Sequence, residues 1–267
     1  GCAVTSDKNM APAAARVRVV AAIGLEAAAE RLAERLGLEW AVGSGGDGDD
    51  ASFCLVLSAE GLALRAAGSG AGPVQADLSA WRRLAARPRA GELLARAVGI
   101  KGGMRAGSRS ALRVADATAG LGSDGWQLAA LGCEVTLLER SSVVAALLAD
   151  GLARAAADPA LREVALRLRL LPGDARTLLP GLAPPPDVVL LDPMYPPSGK
   201  RALKRKEMRL LRDLLGDDPD ASELLEVALG VAERRVVVKR PVKAPPLGAR
   251  KPSASVTGTT TRYDLYF

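Results

Sequence analysis

From residue 112 onward, short apolar runs alternate with longer stretches whose apolar residues recur every three to four positions. The runs at 112–115, 134–138, 166–171, 188–191 and 235–238 predict strands, and the stretches at 124–131 and 143–157 predict helices. Strands alternating with helices predict a mostly parallel sheet covered on both faces. Asp220-Ala221-Ser222-Glu223 has the spacing of a capping box that opens a further helix. The earlier part of the chain is more broken. Runs at 17–23, 52–57 and 74–78 predict strands, with a helix over 25–36, and residues 43–50 have turn composition. A basic link, Arg82-Arg83 to Arg89, leads to a helix at 92–98. The expected organisation is a small N-terminal α+β subdomain with its link over 1–90, followed by an α/β domain over 91–267.

Composition narrows the chemistry. No residue of the 267 is histidine, which removes Ser-His-Asp and Cys-His catalysis and histidine-based metal sites, so no metal is expected. Cys2, Cys54 and Cys133 form no C-x-x-C pair and predict reduced thiols in the cytoplasm. Cys133 opens an apolar strand, where a thiol acts as a small hydrophobe. No apolar run reaches the roughly 18 residues that span a bilayer, so no membrane partner is expected. A net charge of +6 leans mildly towards a polyanion.

The first strand of the α/β part ends in Asp116-Ala117-Thr118-Ala119-Gly120-Leu121-Gly122-Ser123-Asp124. In a doubly wound sheet ligands bind at the carboxyl ends of the strands, where glycines let the backbone come close. Gly120-x-Gly122-x-x-Gly125 alone also fits a dinucleotide fingerprint, and Glu139 after the second strand suits a ribose diol in either case. Asp116 at the strand end would repel a pyrophosphate but suits the α-ammonium of S-adenosylmethionine. Asp174, in Pro172-Gly173-Asp174-Ala175 after the third strand, is placed to accept from an adenine amino group.

The fourth strand runs into Asp192-Pro193-Met194-Tyr195-Pro196-Pro197. An exocyclic base amine is a poor nucleophile because its lone pair is delocalised into the ring. Two acceptors directed at its hydrogens draw that pair out of conjugation, and the Asp192 carboxylate and the Pro193 carbonyl can supply them. Tyr195 is placed to stack on a base removed from its helix. Beyond lies a basic stretch with Lys200, Arg201, Lys204, Arg205 and Arg209. Read as a helix, it sets Arg201, Arg205, Arg209 and Arg212 in one stripe suited to phosphates. Lys239 and Arg240, after the fifth strand, add charge expected at the same edge.

These motifs resemble the bacterial small-subunit ribosomal RNA methyltransferase J family. The matching stretches are residues 97–102, the D-A-T-A-G-L-G-x-D turn, Leu138-Glu139-Arg140, residues 143–148, residues 191–196, Lys206-Glu207-Met208-Arg209 and residues 235–241. The resemblance implies a Rossmann-like class I methyltransferase domain with a seven-stranded, mostly parallel sheet and helices on both faces. It implies methyl transfer from S-adenosylmethionine to a guanine N2 in 16S ribosomal RNA, free or in the small ribosomal subunit. It further implies cofactor contacts at Ser123, Asp124, Glu139, Arg140, Asp174, Ala175 and Asp192. Two stretches depart from the family pattern: Trp81–Pro88, where a histidine- and glycine-rich stretch is usual, and Asp174-Ala175, where two small residues are usual. The residues alone leave open an adenine or protein-amide amino methyltransferase, an NAD-dependent oxidoreductase, and a non-catalytic RNA-binding module.

Overall fold

The computed structural model describes residues 16–43, 52–67, 72–86, 92–100, 111–194 and 206–267. They form two compact units, one of residues 1–74 with 206–214 and one of residues 75–205 with 215–267. In the chain the first break between them falls after Val74. The first part of the expected link, from Arg82 to Ala86, belongs to a helix, α2 (Leu78–Ala86), anchored by the buried Trp81. This ring stacks on Trp126 with centroids 4.4 Å apart, and its carbonyl accepts the Trp126 indole N–H.

In the first unit, β1 (Val17–Ala21) pairs in parallel with β2 (Glu39–Val42) and β3 (Phe53–Ser58), and β4 (Gly61–Ala66) returns antiparallel to β3. Helix α1 (Glu26–Leu36) buries Ala29, Leu32 and Ala33, spaced at three to four residues. The expected strand at 74–78 is absent. Val74 makes a single bridge to Leu64, and Leu78 already begins α2. Helix α8 (Lys206–Leu215) lies almost entirely within this unit.

The second unit holds the expected seven-stranded sheet. Its parallel strands are β5 (Arg113–Asp116), β6 (Glu134–Glu139), β7 (Leu168–Pro172), β8 (Val188–Leu191) and β9 (Arg235–Pro241). They lie in the order β7-β6-β5-β8-β9, and the antiparallel β11 (Thr261–Tyr266) and β10 (Ala254–Thr257) complete the far edge. Alternate residues face opposite sides of a strand. Val188, Leu190 and Val237 therefore enter one core with α3 (Leu93–Val98) and α4 (Ser123–Ala130), whereas Val189, Leu191, Val236 and Val238 enter the other with α9 (Ala221–Val231). Both faces are covered, which is why these strands are continuously apolar. Helix α5 (Ser142–Ala157) follows β6, its first turn capped by the Ser141 hydroxyl, and the short α6 (Arg162–Ala165) comes before β7. Cys133 is buried as expected, and burial pushes its thiol up to about 12.

The capping box at Asp220 does not form. Its carboxylate makes no cap bond because it is drawn to Arg140 and Arg176. Among the described residues no helix is long and apolar enough to cross a membrane.

Candidate active site

Strands β5, β6, β7 and β8 all run in parallel, so their carboxyl ends open onto one edge. At that edge the turn after β5 is tied down by its neighbours. The Thr118 amide donates to Asp116 Oδ1 at 3.3 Å. The Gly120 amide donates to Glu139 Oε2 at 2.8 Å, and the Ser141 amide to Oε1 at 2.8 Å. One carboxylate thus fastens the glycine turn to the exit of β6. Gly122, at φ 80°, heads α4 in a left-handed conformation, and a Cβ there would stand 2.7 Å from Leu148 Cδ1. Ser123 is exposed on the first turn of α4, beside Asp124.

Burial is the main influence on both strand-end acids. It pushes the Asp116 carboxyl up to about 8, with Asp124 adding to the rise. Glu139 is also raised by burial, against the Ser141 and Gly120 N–H groups that favour its ionised form.

Arg140 sits in a ladder of ion pairs with Asp218 and Asp220. Arg176 continues it, 3.1 Å from Asp220 Oδ2, 2.6 Å from Asp174 Oδ2 and 2.5 Å from Glu223 Oε2. Asp174 caps the short α7 (Ala175–Leu178) by accepting the Arg176 N–H at 2.9 Å, and its bonds to Arg176 hold its carboxyl below the ordinary value. Ala175 is buried beneath it. Asp218 also accepts the Met194 amide at 2.6 Å, which joins the exit of β8 to Arg140. Asp218 went unnoticed in the sequence, although Gly216-Asp217-Asp218-Pro219-Asp220 is an acidic turn directly after a basic helix.

At the end of β8 the Asp192 amide donates to Thr118 Oγ1 at 2.6 Å, so this hydroxyl ties the glycine turn to the exit of β8. The Asp192 side chain is 41% exposed, and its Oδ2 lies 2.8 Å from Lys239 Nζ. The same ammonium is 2.6 Å from Asp124 Oδ2. Pro193 is buried. Tyr195, Lys200, Arg201, Lys204 and Arg205 lie outside the described residues. Arg209 is exposed on α8.

Lys239 and Arg240, both expected to meet phosphates, are engaged within the protein. Lys239 is spent on carboxylates at the sheet edge, since an amine leaving an apolar strand needs opposite charge nearby. Arg240, on the other side of β9, is 4% exposed and donates to the Pro245 carbonyl at 3.0 and 3.1 Å. A guanidinium so enclosed cannot meet a backbone phosphate. Tyr263, buried on β11 opposite Lys239, was also missed.

The donor set suits a cationic ligand carrying hydroxyls. Asp116, Asp124, Glu139 and Asp192 surround the glycine turn, and a dinucleotide pyrophosphate would be set against all of them. They fit the ammonium, sulfonium and ribose of S-adenosylmethionine.

Known proteins agree with this chemistry. A family model described as "Putative SAM-dependent methyltransferase" matches residues 32–267. A ribosomal RNA small subunit methyltransferase J from Thioalkalivibrio sulfidiphilus is 52% identical over 244 residues, 89% of this chain and 92% of the relative. One from Pseudomonas fluorescens is 47% identical over 265 residues, 97% of each chain. A crystal structure of a SAM-dependent methyltransferase from Neisseria gonorrhoeae superposes with a TM-score of 0.72 at 32% identity, covering 93% of this chain and 95% of that one. With matches of this extent and a sheet edge built for the cofactor, the chain belongs to the SAM-dependent methyltransferases, in the family of ribosomal RNA small subunit methyltransferase J.

Proposed function

We propose that the protein transfers a methyl group from S-adenosylmethionine to the exocyclic N2 amine of a guanine in small-subunit (16S) ribosomal RNA, in the cytoplasm. The observation that carries this reading is the open carboxylate of Asp192, held beside the glycine turn by Thr118 and Lys239. The relatives' name supplies the substrate class.

In this reading Asp116 meets the α-ammonium of the cofactor and Glu139 its ribose, using lone pairs left over from the backbone bonds. Gly120, Gly122, Ser123 and Asp124 line the turn. Asp174 and Ala175 stand at the adenine end, and Arg140 braces it through the ion-pair ladder. S-adenosylmethionine supplies a methyl group on a sulfonium sulfur, which keeps the bonding pair when the methyl leaves. Asp192 Oδ1 and the Pro193 carbonyl accept from the two amine hydrogens, which localises the nitrogen lone pair where the new N–C bond forms. Asp192 then takes the proton that the cationic nitrogen sheds. Tyr195 stacks on the extruded base, and Lys200, Arg201, Lys204, Arg205 and Arg209 meet phosphates.

The test supplies labelled cofactor and purified enzyme to small ribosomal subunits from a strain lacking the gene. Mass spectrometry of digested 16S RNA should find one new N2-methylguanine. Label on adenine, on protein, or nowhere would reject the reading.

A further inference from the structure

One half-buried amine stands among three acids at the edge where the reaction is placed. Lys239 Nζ lies 2.6 Å from Asp124 Oδ2, in the first turn of α4, and 2.8 Å from Asp192 Oδ2. The register explains the meeting. Leu191 of β8 pairs with Val238 of β9, so the next residues, Asp192 and Lys239, leave adjacent strands side by side. A lysine carries three donors on a flexible stem, which lets one charge serve carboxylates on separate elements.

An acid helps a base amine only as an acceptor, and protonation turns one of its oxygens into a donor. The surroundings of Asp192 press towards protonation. Desolvation by the part of its surroundings that is protein raises its pKa, Lys239 opposes this, and Asp124 raises it again. Asp116 from β5 lies within electrostatic reach, as does Tyr263 from β11, while Arg240 from β9 contributes a weaker opposing charge. Thr118 adds only a neutral hydroxyl, bonded to the Asp192 amide. Lys239 itself keeps its proton. Burial works against its charge, but Asp192 and Asp124 outweigh burial and raise its pKa.

We infer that Lys239 is a positioning residue for methyl transfer, whose ammonium, clamped between Asp124 and Asp192, keeps Asp192 ionised and aimed at the target amine. This rests on the reading of Asp192 as the acceptor. Asp124 sits at the glycine turn and Asp192 at the substrate loop, so the same clamp ties the cofactor side of the site to the substrate side.

The test is the pH dependence of the single-turnover methylation rate at saturating cofactor, using small subunits lacking the modification. The acid limb should report ionisation of Asp192. In Lys239→Met the limb should move to higher pH by about one to three units, the range an adjacent opposite charge commands. Lys239→Arg should restore most of that shift. Asp124→Asn removes a like charge without emptying the site, so the limb should move the other way, to lower pH. If Lys239→Met fails to fold, the arginine and asparagine variants still decide. A uniform loss of rate at every pH, with the limb unmoved in these variants, would overturn the role of the lysine. Asp192→Asn separates the two layers of the argument. Wild-type turnover in that variant would reject Asp192 as acceptor, whereas a dead Asp192→Asn with unmoved limbs in the other variants rejects only Lys239.

Discussion

Strand β8 carries an acid at each end, and the two are built in opposite ways. Asp187, just before the strand, is 5% exposed. It accepts the Arg113 amide at 2.9 Å and Arg234 Nε at 3.1 Å, while both arginine side chains reach solvent. Its carbonyl accepts the Arg234 amide as well, so one residue gathers the starts of β5, β8 and β9. Asp192, just after the strand, is 41% exposed, and its cationic partner Lys239 is the more buried of the two at 27%. Where the acid is hidden and its cations are outside, the pair fastens strands together. Where the cation is the more enclosed partner and the acid is open, a carboxylate is left accessible at the sheet edge with its charge balanced from behind. An ionised group is costly to enclose, so which partner is the more enclosed separates an acid that fastens strands from one left open at the sheet edge.

The contrast can be broken or sharpened by experiment. The largest effect is expected from Asp192→Ala, which should lower the single-turnover rate by about 10²- to 10³-fold, as for loss of one preorganised transition-state contact. Its thermal melt should stay close to wild type, and a large drop in melting temperature would erase the distinction from Asp187. Asp187→Ala should do the reverse. Stability in urea should fall by about 2–3 kcal/mol as a buried backbone N–H and two arginines lose their acceptor. The rate of the folded fraction should hold.

At the cofactor turn, Glu139→Ala should weaken S-adenosylmethionine binding by about tenfold to a hundredfold, read by calorimetry. Unchanged affinity would leave Glu139 as a tie for Gly120 and Ser141 alone. The smallest effect concerns protons. With its carboxyl pushed up to about 8 in the free protein, Asp116 is mostly protonated at pH 7. Meeting a cofactor ammonium favours its ionised form, so binding at pH 7 should release up to one proton. Affinity should therefore rise with pH until about 8. Calorimetry in buffers of different ionisation enthalpy measures the release, and zero release would separate Asp116 from the ammonium.

Much of the fold is legible in the sequence. The strands from β5 to β9 lie within two or three residues of the apolar runs that predicted them, because a sheet covered on both faces buries mostly apolar side chains along its strands. β10 was not read from the pattern, since Ala-Ser-Val-Thr is mostly exposed and carries no apolar face. Residues 74–78 misled because a short apolar run fits a strand or the approach to a helix equally well. The acids at the strand ends were found because chain order in a doubly wound sheet dictates which loops share an edge. Asp218 was not, since its bond to the Met194 amide joins residues on either side of a 24-residue excursion.

Periodicity and chain order were enough to name the architecture and to bring the glycine turn and the strand-end acids to one edge, because burial and chain connectivity leave their mark on residue type in order along the chain. The direction of charged side chains was settled only by folding. Lys239 and Arg240 are neighbours of like charge, yet the first enters a cluster of carboxylates and the second donates to a carbonyl on the other side of the strand. That outcome depends on what adjacent strands present at the same level, and residue type alone carries no trace of it.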